Sequence, residues 1–196
     1  NNLDISETQY KIAVSSYQAV GNWLSDEKCI LSKYKPNILP QGSFLIGTMI
    51  KPINDEDDLD IDLVCELTGK NIGWTQEDLK IIVGDRIKEN DTYKDMLTDE
   101  GRRCWTLKYR KDSEQIKERY HMDILPAIIN EGYSVLLEKA FSGNDEKDLD
   151  ALSIRITDKE TDNYKTEKDI NGWMKSNPFG YGKWFNDRAT LSIRKA

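Results

Sequence analysis

The pattern of apolar and polar positions first predicts a helix close to the N terminus. Ser6 and Gln9 form a capping-box pair, in which each side chain bonds the backbone N–H of the other residue at a helix start. Apolar residues then recur every three or four positions, which is the spacing of one helix face. They are Tyr10, Ala13, Val14, Tyr17, Val20 and Leu24. We therefore predict a long N-terminal helix within residues 1–35.

The strictest pattern in the chain is an alternation over residues 58–67. Odd positions carry leucine, isoleucine or cysteine, whereas even positions carry three aspartates followed by Val64 and Glu66. Because successive side chains of a strand point to opposite faces, this segment predicts a strand with one apolar face and one carboxylate face. Upstream, the apolar residues 38–40 and the glycine at position 42 predict a strand, a turn and a short helical piece.

The rest of the chain mixes helical and strand spacing without a regular order. Thr75 is a helix N-cap in front of an apolar stripe, and Pro126 is expected to stop the strand that begins at Tyr120. The predicted elements are a helix over residues 75–87, strands over residues 105–109 and 120–125 joined by a polar turn around residues 111–113, a helix near residues 134–141, a strand over residues 152–156 and a helix after residue 178. This order predicts an α+β fold with a mixed central sheet flanked by helices.

Length and composition limit the class of protein. A chain of 196 residues with 38% hydrophobic residues predicts a single domain, and its net charge of −7 argues against a protein that mainly wraps nucleic acid. Its cysteines, Cys29, Cys65 and Cys104, lack the spacing of zinc sites or disulfide frameworks. Since we find neither a membrane-helix run nor a signal-peptide pattern, we expect a cytoplasmic protein without membrane contact.

Two aspartates of the alternating strand carry the first candidate chemistry. Asp60 and Asp62 project from one face, roughly 6 to 7 Å apart along the strand. Mg²⁺ is typically held by one or two carboxylates together with substrate phosphates. Asp123 lies in the apolar segment 122–125, where an unpaired buried charge costs several kcal/mol. We therefore predict that Asp123 joins the other two carboxylates in a metal site.

Gly42 and Ser43 are the candidate phosphate cradle. Glycine allows close approach of the backbone, the serine hydroxyl donates a hydrogen bond, and a helix start just beyond favours anions. Each part has a common structural alternative, because acidic runs are usually solvated loops, Gly-Ser is usually a turn, and a single strand Asp is often an edge residue. Only the order and spacing of Gly42, Asp60, Asp62 and Asp123 together are specific.

Several other side chains leave two interpretations open. His121 shares the predicted face of Asp123, where it either orients the site or, as is more common, is a hydrogen-bonded structural histidine. The tryptophans either stack a nucleobase or pack in the core, and the basic residues near the central strands either meet phosphates or are solvated. These residues are Trp105, Trp173, Trp184, Arg103, Lys108 and Arg110.

Longer phrases of the sequence resemble a known family. They are Gln41-Gly42-Ser43 followed by Gly47-Thr48, the segment 60–67 (DIDLVCEL) and the segment 121–127 (HMDILPA). Together they resemble the bacterial cGAS/DncV-like nucleotidyltransferases (CD-NTases), a branch of the DNA polymerase β-like superfamily. Residues 177–185 (NPFGYGKWF) are similar to the branch that serves CBASS anti-phage defence. The resemblance runs from about residue 38 to residue 188.

The resemblance implies a polymerase β-like nucleotidyltransferase fold within a single domain, 1–196. Its parts would be the N-terminal helix in residues 1–35, a catalytic core over residues 38–165 and, in residues 166–196, the truncated start of a helical region that closes over the nucleotides in relatives. By the same resemblance, Asp60, Asp62 and Asp123 hold two Mg²⁺ ions, with Mn²⁺ as an alternative. The residues that hold the donor nucleotide are then Gln41, Gly42 and Ser43.

The implied activity is the joining of nucleoside triphosphates into a cyclic di- or trinucleotide messenger, with release of pyrophosphate. ATP, GTP or pyrimidine triphosphates are the implied substrates, and a downstream effector binds the product rather than this chain. We expect no nucleic-acid activator. The alternatives are transfer of a nucleotide onto a protein or an RNA, and a non-catalytic nucleotide-binding module. The excess of acidic residues disfavours RNA as the acceptor of the nucleotide. A non-catalytic module would be expected to have lost some of the catalytic carboxylates, and all of them are present here.

Overall fold

The computed structural model describes residues 5–50, 58–110, 113, 119–142 and 148–195, with side chains as far as residue 189. The helices are α1 (Glu7–Leu24), α2 (Gly42–Ile46), α3 (Gln76–Lys88), α4 (Asp91–Met96), α5 (Tyr133–Ser142) and α6 (Pro178–Lys195). The strands are β1 (Asn37–Pro40), β2 (Leu59–Thr68), β3 (Trp105–Tyr109), β4 (Tyr120–Ile129), β5 (Ile154–Ile156) and β6 (Met174–Ser176). Short 3₁₀ turns occupy Ser32–Tyr34, Leu149–Leu152 and Ile170–Gly172.

The strands form one mixed sheet in the order β1-β2-β4-β5-β6, and β3 also pairs with β4. β2 and β4 run parallel along their whole length, whereas the other pairs are antiparallel. Because β2 occupies one edge of β4 throughout, β3 and β5 must share the other edge, one behind the other. The predicted mixed sheet with flanking helices is therefore confirmed.

Helix α1 begins where the capping-box pattern predicts. The Ser6 hydroxyl accepts a hydrogen bond from Gln9 N at 3.1 Å, and Gln9 Oε1 accepts one from Ser6 N at 3.0 Å. This arrangement satisfies backbone donors that a helix start otherwise leaves unpaired. Ala13, Val20 and Leu24 are buried against the sheet, which confirms the predicted face, while Tyr10 is 49% exposed. Thr75 caps α3 by the same pair of hydrogen bonds, made with Asp78.

The two faces of the sheet are covered differently. On one face α1 and α3 cover the apolar side chains of β2 and β4 along their whole length. On the other face, α5 and α6 pack over the second halves of these strands, around Val64, Leu125 and Ala127. The first halves carry the aspartates on this second face. The candidate site therefore lies where the helical cover on the second face ends.

Strand β4 does not stop at Pro126, contrary to the prediction. Leu59 N donates to the carbonyl of Arg119 and Gly69 N to that of Ile129, so odd-numbered residues of β4 direct their backbone groups towards β2. Pro126, with an even number, faces the other edge. There β3 is paired up to Ile124 and β5 begins its pairing at Ala127. The missing N–H of proline therefore falls in the gap between two strands and costs no ladder hydrogen bond.

Three smaller differences from the sequence prediction concern local structure. Leu152 was expected in a strand but ends the 3₁₀ turn, because the Asp148 side chain accepts from Asp150 N at 3.1 Å and favours a local turn over the sheet. Helix α4 and strand β6 were not predicted. The turn expected around residues 111–113 lies outside the described residues except for Ser113, whose N donates to Arg110 O. The division into residues 1–35, 38–165 and 166–196 stays a prediction.

Candidate active site

The predicted carboxylates lie on adjacent parallel strands. In the register of β2 and β4, Asp62 is the partner of Asp123, and Asp60 is the partner of His121. Side chains of paired residues point to the same face, so both strands contribute to one surface. The structure therefore brings Asp62 and Asp123 next to each other, with Asp60 two positions earlier on the same face.

β3 adds a third column to this surface. Its antiparallel register pairs Thr106 with Asp123 and Lys108 with His121. Two rows of side chains thus cross the three strands, and we call them the carboxylate grid. The first row is Asp60, His121 and Lys108, and the second row is Asp62, Asp123 and Thr106. Within the grid, the Thr106 hydroxyl donates to Asp123 Oδ1 at 2.5 Å.

The backbone at Gly42 approaches the Asp62 carboxylate closely. Gln41 N donates to Asp62 O at 2.8 Å, which joins the start of α2 to β2. Gly42 has a φ of +57°, in the left-handed region, and a Cβ at this position would collide with Asp62 Oδ2. Only glycine fits both requirements without strain. The Gly-Ser turn is thereby placed beside the aspartate strand.

An open cleft of about 390 Å³ lies beside Asp62. Its lining residues come from the α2 start, β2, β6 and the first turn of α6, namely Gln41, Gly42, Ile46, Asp62, Ser176, Asn177, Pro178 and Tyr181. Ser43 is half-buried and is not among them, although it follows Gly42 directly. Tyr181 is 55% exposed and stacks on Trp184 with ring centroids 5.7 Å apart. The cleft therefore combines a carboxylate, a glycine backbone and an exposed aromatic ring.

Asp60 is the most solvent-exposed of the three carboxylates, with 75% of its side chain accessible. Its nearest recorded partner is His121, whose Nδ1 lies 3.5 Å from Asp60 Oδ1. The other ring nitrogen, Nε2, lies 2.7 Å from Asp58 Oδ2. Hydrogen bonding to Asp60 raises the pKa of His121, although partial burial opposes the rise, and the charge of Asp58 adds to it. His121 thus lies between two carboxylates at the edge of the grid, within ion-pair distance of both.

Negative charge accumulates on this surface. Burial raises the pKa of Asp62, and the charges of Asp123 and Asp60 raise it further. Burial also raises the pKa of the Cys104 thiol to about 12, with further contributions from Asp123 and Asp62. The ionised carboxylates therefore repel one another, and a bound cation would relieve that repulsion. The three aspartates offer carboxylate oxygens, which suit hard divalent ions such as Mg²⁺ or Mn²⁺.

The carboxylates do not converge on a single point. In the ranges that the structure describes, no three His, Cys, Asp or Glu side chains stand in position to hold one metal ion. Asp62 and Asp123 lie side by side on adjacent strands, whereas the Asp60 side chain is turned to His121 and solvent. This spread fits ions that take part of their coordination from water and substrate phosphates rather than from a protein cage.

Other sequence candidates lie outside the cleft. Arg103 Nε donates to Asp158 Oδ2 at 2.8 Å and therefore stabilises a loop. Trp105 and Trp173 are buried, which supports the core-packing interpretation for both. Lys108 is exposed and stands in the grid beside His121, so a phosphate contact remains open to it.

Two residues of the surface were missed by the sequence interpretation. Thr106 could have been assigned to the second face, because Trp105 and Leu107 on either side of it are apolar, but nothing in the pattern gives its register with Asp123. Tyr181 lies far along the chain, and only the packing of α6 against α2 brings it to the cleft.

The segment that carries the site is similar to a known protein family. Residues 36–126, which include β1, the Gly42 turn and all three aspartates, match the family described as "Cyclic GMP-AMP synthase DncV-like, nucleotidyltransferase domain". This segment of the chain is therefore similar to DncV-like nucleotidyltransferase domains. The family resemblance noted in the sequence is thus confirmed for the segment that carries the carboxylates.

Similar proteins extend the match beyond residues 36–126. A c-di-GMP synthase of Roseivirga ehrenbergii is 29% identical over 186 residues, which are 95% of this chain and 40% of that protein. The CD-NTase CdnG of Bradyrhizobium diazoefficiens, solved with GTP, has a TM-score of 0.62 at 18% identity and covers 93% of this chain and 42% of its own. The Vibrio cholerae DncV cyclic AMP-GMP synthase, solved with the linear intermediate 5′ pppA(3′,5′)pG, has a TM-score of 0.56 at 14% identity, with coverages of 95% and 58%.

These structures confirm the predicted fold of the chain. The chain spans only about two fifths to three fifths of the length of the relatives it matches. Among the described residues, no helix is both long enough and apolar enough to cross a membrane.

Proposed function

We propose that the protein is a metal-dependent nucleotidyltransferase that joins nucleoside triphosphates into a cyclic di- or trinucleotide. The observation that carries this proposal is the pairing of Asp62 with Asp123 on adjacent parallel strands, next to the glycine backbone of Gly42. The relatives support the product class, since one is named a c-di-GMP synthase and another binds a linear dinucleotide intermediate.

The proposed metal ligands are Asp60, Asp62 and Asp123. A divalent cation held there, Mg²⁺ or Mn²⁺, supplies positive charge that lowers the pKa of an attacking hydroxyl and neutralises the leaving pyrophosphate. We propose two such ions, because a carboxylate pair shared by two ions is the usual solution for phosphoryl displacement. The raised pKa of Asp62, caused by burial and by its acidic neighbours, fits a site that is completed by cations.

We propose that residues around the cleft bind the nucleotides and orient them for the reaction. The open surface at Gly42 leaves room for a triphosphate beside Asp62, and the exposed Tyr181 ring offers a flat surface for a nucleobase. Gln41 and Ser43 flank that glycine and are the further candidates for contact with the donor nucleotide. The hydroxyl oxygen of one nucleotide then bonds to the α-phosphorus of another, the bond to pyrophosphate breaks, and the hydroxyl proton is lost to solvent.

We place the product in signalling during anti-phage defence, with a separate effector as its receptor. ATP and GTP are the proposed substrates, with pyrimidine triphosphates as further candidates, and the proposed location is the cytoplasm. The acidic net charge of −7 gives no support to a nucleic-acid activator.

The test is incubation of the purified protein with four labelled nucleoside triphosphates and Mg²⁺, followed by phosphatase treatment and chromatography. A phosphatase-resistant product is expected. Asp60→Ala and Asp62→Ala should lower turnover at least about a thousandfold, because the electrostatic contribution of bound metal is several kcal/mol. Both variants should keep the wild-type melting temperature or exceed it in chelator, since removing one charge relieves repulsion. Asp85→Ala, on the exposed surface of α3, is the matched control and should be fully active.

Each other outcome has a distinct meaning. Full activity of Asp60→Ala or Asp62→Ala would refute the assignment of the metal site. Pyrophosphate release without a resistant product would indicate transfer onto a protein or an RNA. Nucleotide binding without pyrophosphate release would indicate a non-catalytic binding module.

A further inference from the structure

Thr106 makes a direct contact with one of the proposed metal ligands. Its Oγ1 lies 2.5 Å from Asp123 Oδ1, at the short end of the range for hydroxyl–carboxylate hydrogen bonds. The hydroxyl is the donor in this bond, and the carboxylate oxygen accepts. The bond occupies Oδ1 and leaves the second oxygen, Oδ2, for another partner.

The position of Thr106 is fixed by two independent features. The register of β3 sets Thr106 opposite Asp123, and the neighbours Trp105 and Leu107 are buried on the other face of the sheet. Threonine is also β-branched, which limits its χ1 angle and holds the hydroxyl in one direction. The side chain therefore presents a donor in a defined place while its neighbours supply the packing.

The other two carboxylates are held by different means. Asp62 is packed against the backbone of Gly42, and Asp60 is largely exposed beside His121. Among the hydrogen bonds of the described residues, only Asp123 of the three receives one from a side-chain hydroxyl. Asp123 is thus the carboxylate whose orientation depends on a side-chain hydroxyl, that of Thr106.

We propose that Thr106 is a positioning residue that orients Asp123 for cation binding and so for activation of the attacking hydroxyl. The inference rests on the proposed function, in which Asp123 is a metal ligand. Hydrogen-bond partners of metal ligands commonly change metal affinity or activity by 10- to 100-fold when they are removed, because they set the orientation of the ligand. The same size of effect is expected for the Thr106 hydroxyl.

The decisive variant is Thr106→Val, which keeps the shape of the side chain and removes the donor. Binding of Mn²⁺ alone, followed by electron paramagnetic resonance, should weaken about tenfold. In turnover assays kcat should fall about 10- to 100-fold, while KM for the nucleotide stays within about twofold. Thr106→Ser restores the hydroxyl and should recover most of the Mn²⁺ affinity and of kcat. Thr98→Val is the matched control, because the Thr98 hydroxyl bonds the backbone carbonyl of Asp99, and it should behave like the wild type.

The outcomes separate the inference from the proposed function. Wild-type Mn²⁺ affinity in Thr106→Val would overturn the inference, and so would a Thr106→Ser variant as impaired as Thr106→Val. If the wild-type protein makes no nucleotide product but Thr106→Val still loses Mn²⁺ affinity and Thr106→Ser regains it, the proposed function fails while the positioning role stands. If Thr106→Val does not fold, the Thr106→Ser comparison decides, since loss of affinity despite the retained hydroxyl would refute the inference.

Discussion

Glu66 should make the stability of this protein depend on pH in an unusual direction. The residue is fully buried on the same face of β2 as the aspartates. One carboxylate oxygen, Oε2, accepts from Asn37 Nδ2 at 3.4 Å, and Oε1 has no hydrogen-bond partner among the described residues. Burial raises the pKa of Glu66 to about 7, and the Asn37 hydrogen bond offsets only part of that rise. At pH 8 the folded protein therefore holds a buried charge with little compensation.

The size of the effect follows from the shift. The pKa rises from 4.5 to about 7, and each unit corresponds to roughly 1.4 kcal/mol, so ionised Glu66 costs the folded state about 3 kcal/mol. Because the folded state holds this proton more tightly than the unfolded state, the penalty is absent below pH 4.5 and complete well above pH 7. Glu66→Gln has nearly the same shape and carries no charge. We expect it to be more stable than the wild type by about 3 kcal/mol at pH 9, and equally stable near pH 4.5.

The assay is urea unfolding at a series of pH values between about 4.5 and 9, with chelator present to exclude metal binding. The difference between Glu66→Gln and wild type should grow between about pH 4.5 and pH 7 and then level off. The melting temperature at pH 9 should rise by roughly 6–12 °C. Glu138→Gln on the exposed surface of α5 is the matched control and should show no such trend. A stability difference that stays constant with pH, or a variant that is less stable at pH 9, would refute the reasoning.

Two further predictions concern the surroundings of the site. Gly42→Ala should lower turnover about 100-fold or more, because the added Cβ displaces the Asp62 carboxylate. Gly69→Ala, at a similar φ but with open space around it, should cost about 1 kcal/mol of stability and leave activity unchanged. Equal activity of the two variants would contradict this prediction. Although burial opposes it, hydrogen bonds from Arg102 and Arg103 hold the pKa of Asp158 at about 2. Asp158→Asn should therefore lose about 2 kcal/mol at pH 7 in urea unfolding, and this deficit should shrink as the pH falls from 4 to 2; a deficit unchanged at low pH would argue against the ion pairs.

The strands that carry the site were predictable because their patterns are local. The alternation in residues 58–67 is a property of one segment, and it correctly gave β2 and the face of Asp60 and Asp62. The capping boxes at Ser6 and Thr75 likewise involve residues three positions apart. Such local patterns correctly predict the helices and strands here because tertiary packing favours the same local structure.

The features that sequence reasoning missed depend on contacts between distant segments. Pro126 continues β4 only because two other strands leave a gap at that position. Glu66 looks like a solvent-facing member of the carboxylate face until α5 and α6 cover the second half of β2. The role of Thr106 requires the register of β3 against β4. In each case the deciding partner lies elsewhere in the chain, and a single sequence does not name it.

The carboxylate grid also constrains which length changes the protein can tolerate. All members of the grid are set by strand register, and moving a strand by one residue turns every one of its side chains to the opposite face. One inserted residue within β3 before Thr106 would shift that hydroxyl to the core face, together with Lys108. An insertion between strands would leave both rows in place. A single inserted or deleted residue within one of these strands would thus remove the site, whereas a change in loop length between the strands would preserve the grid.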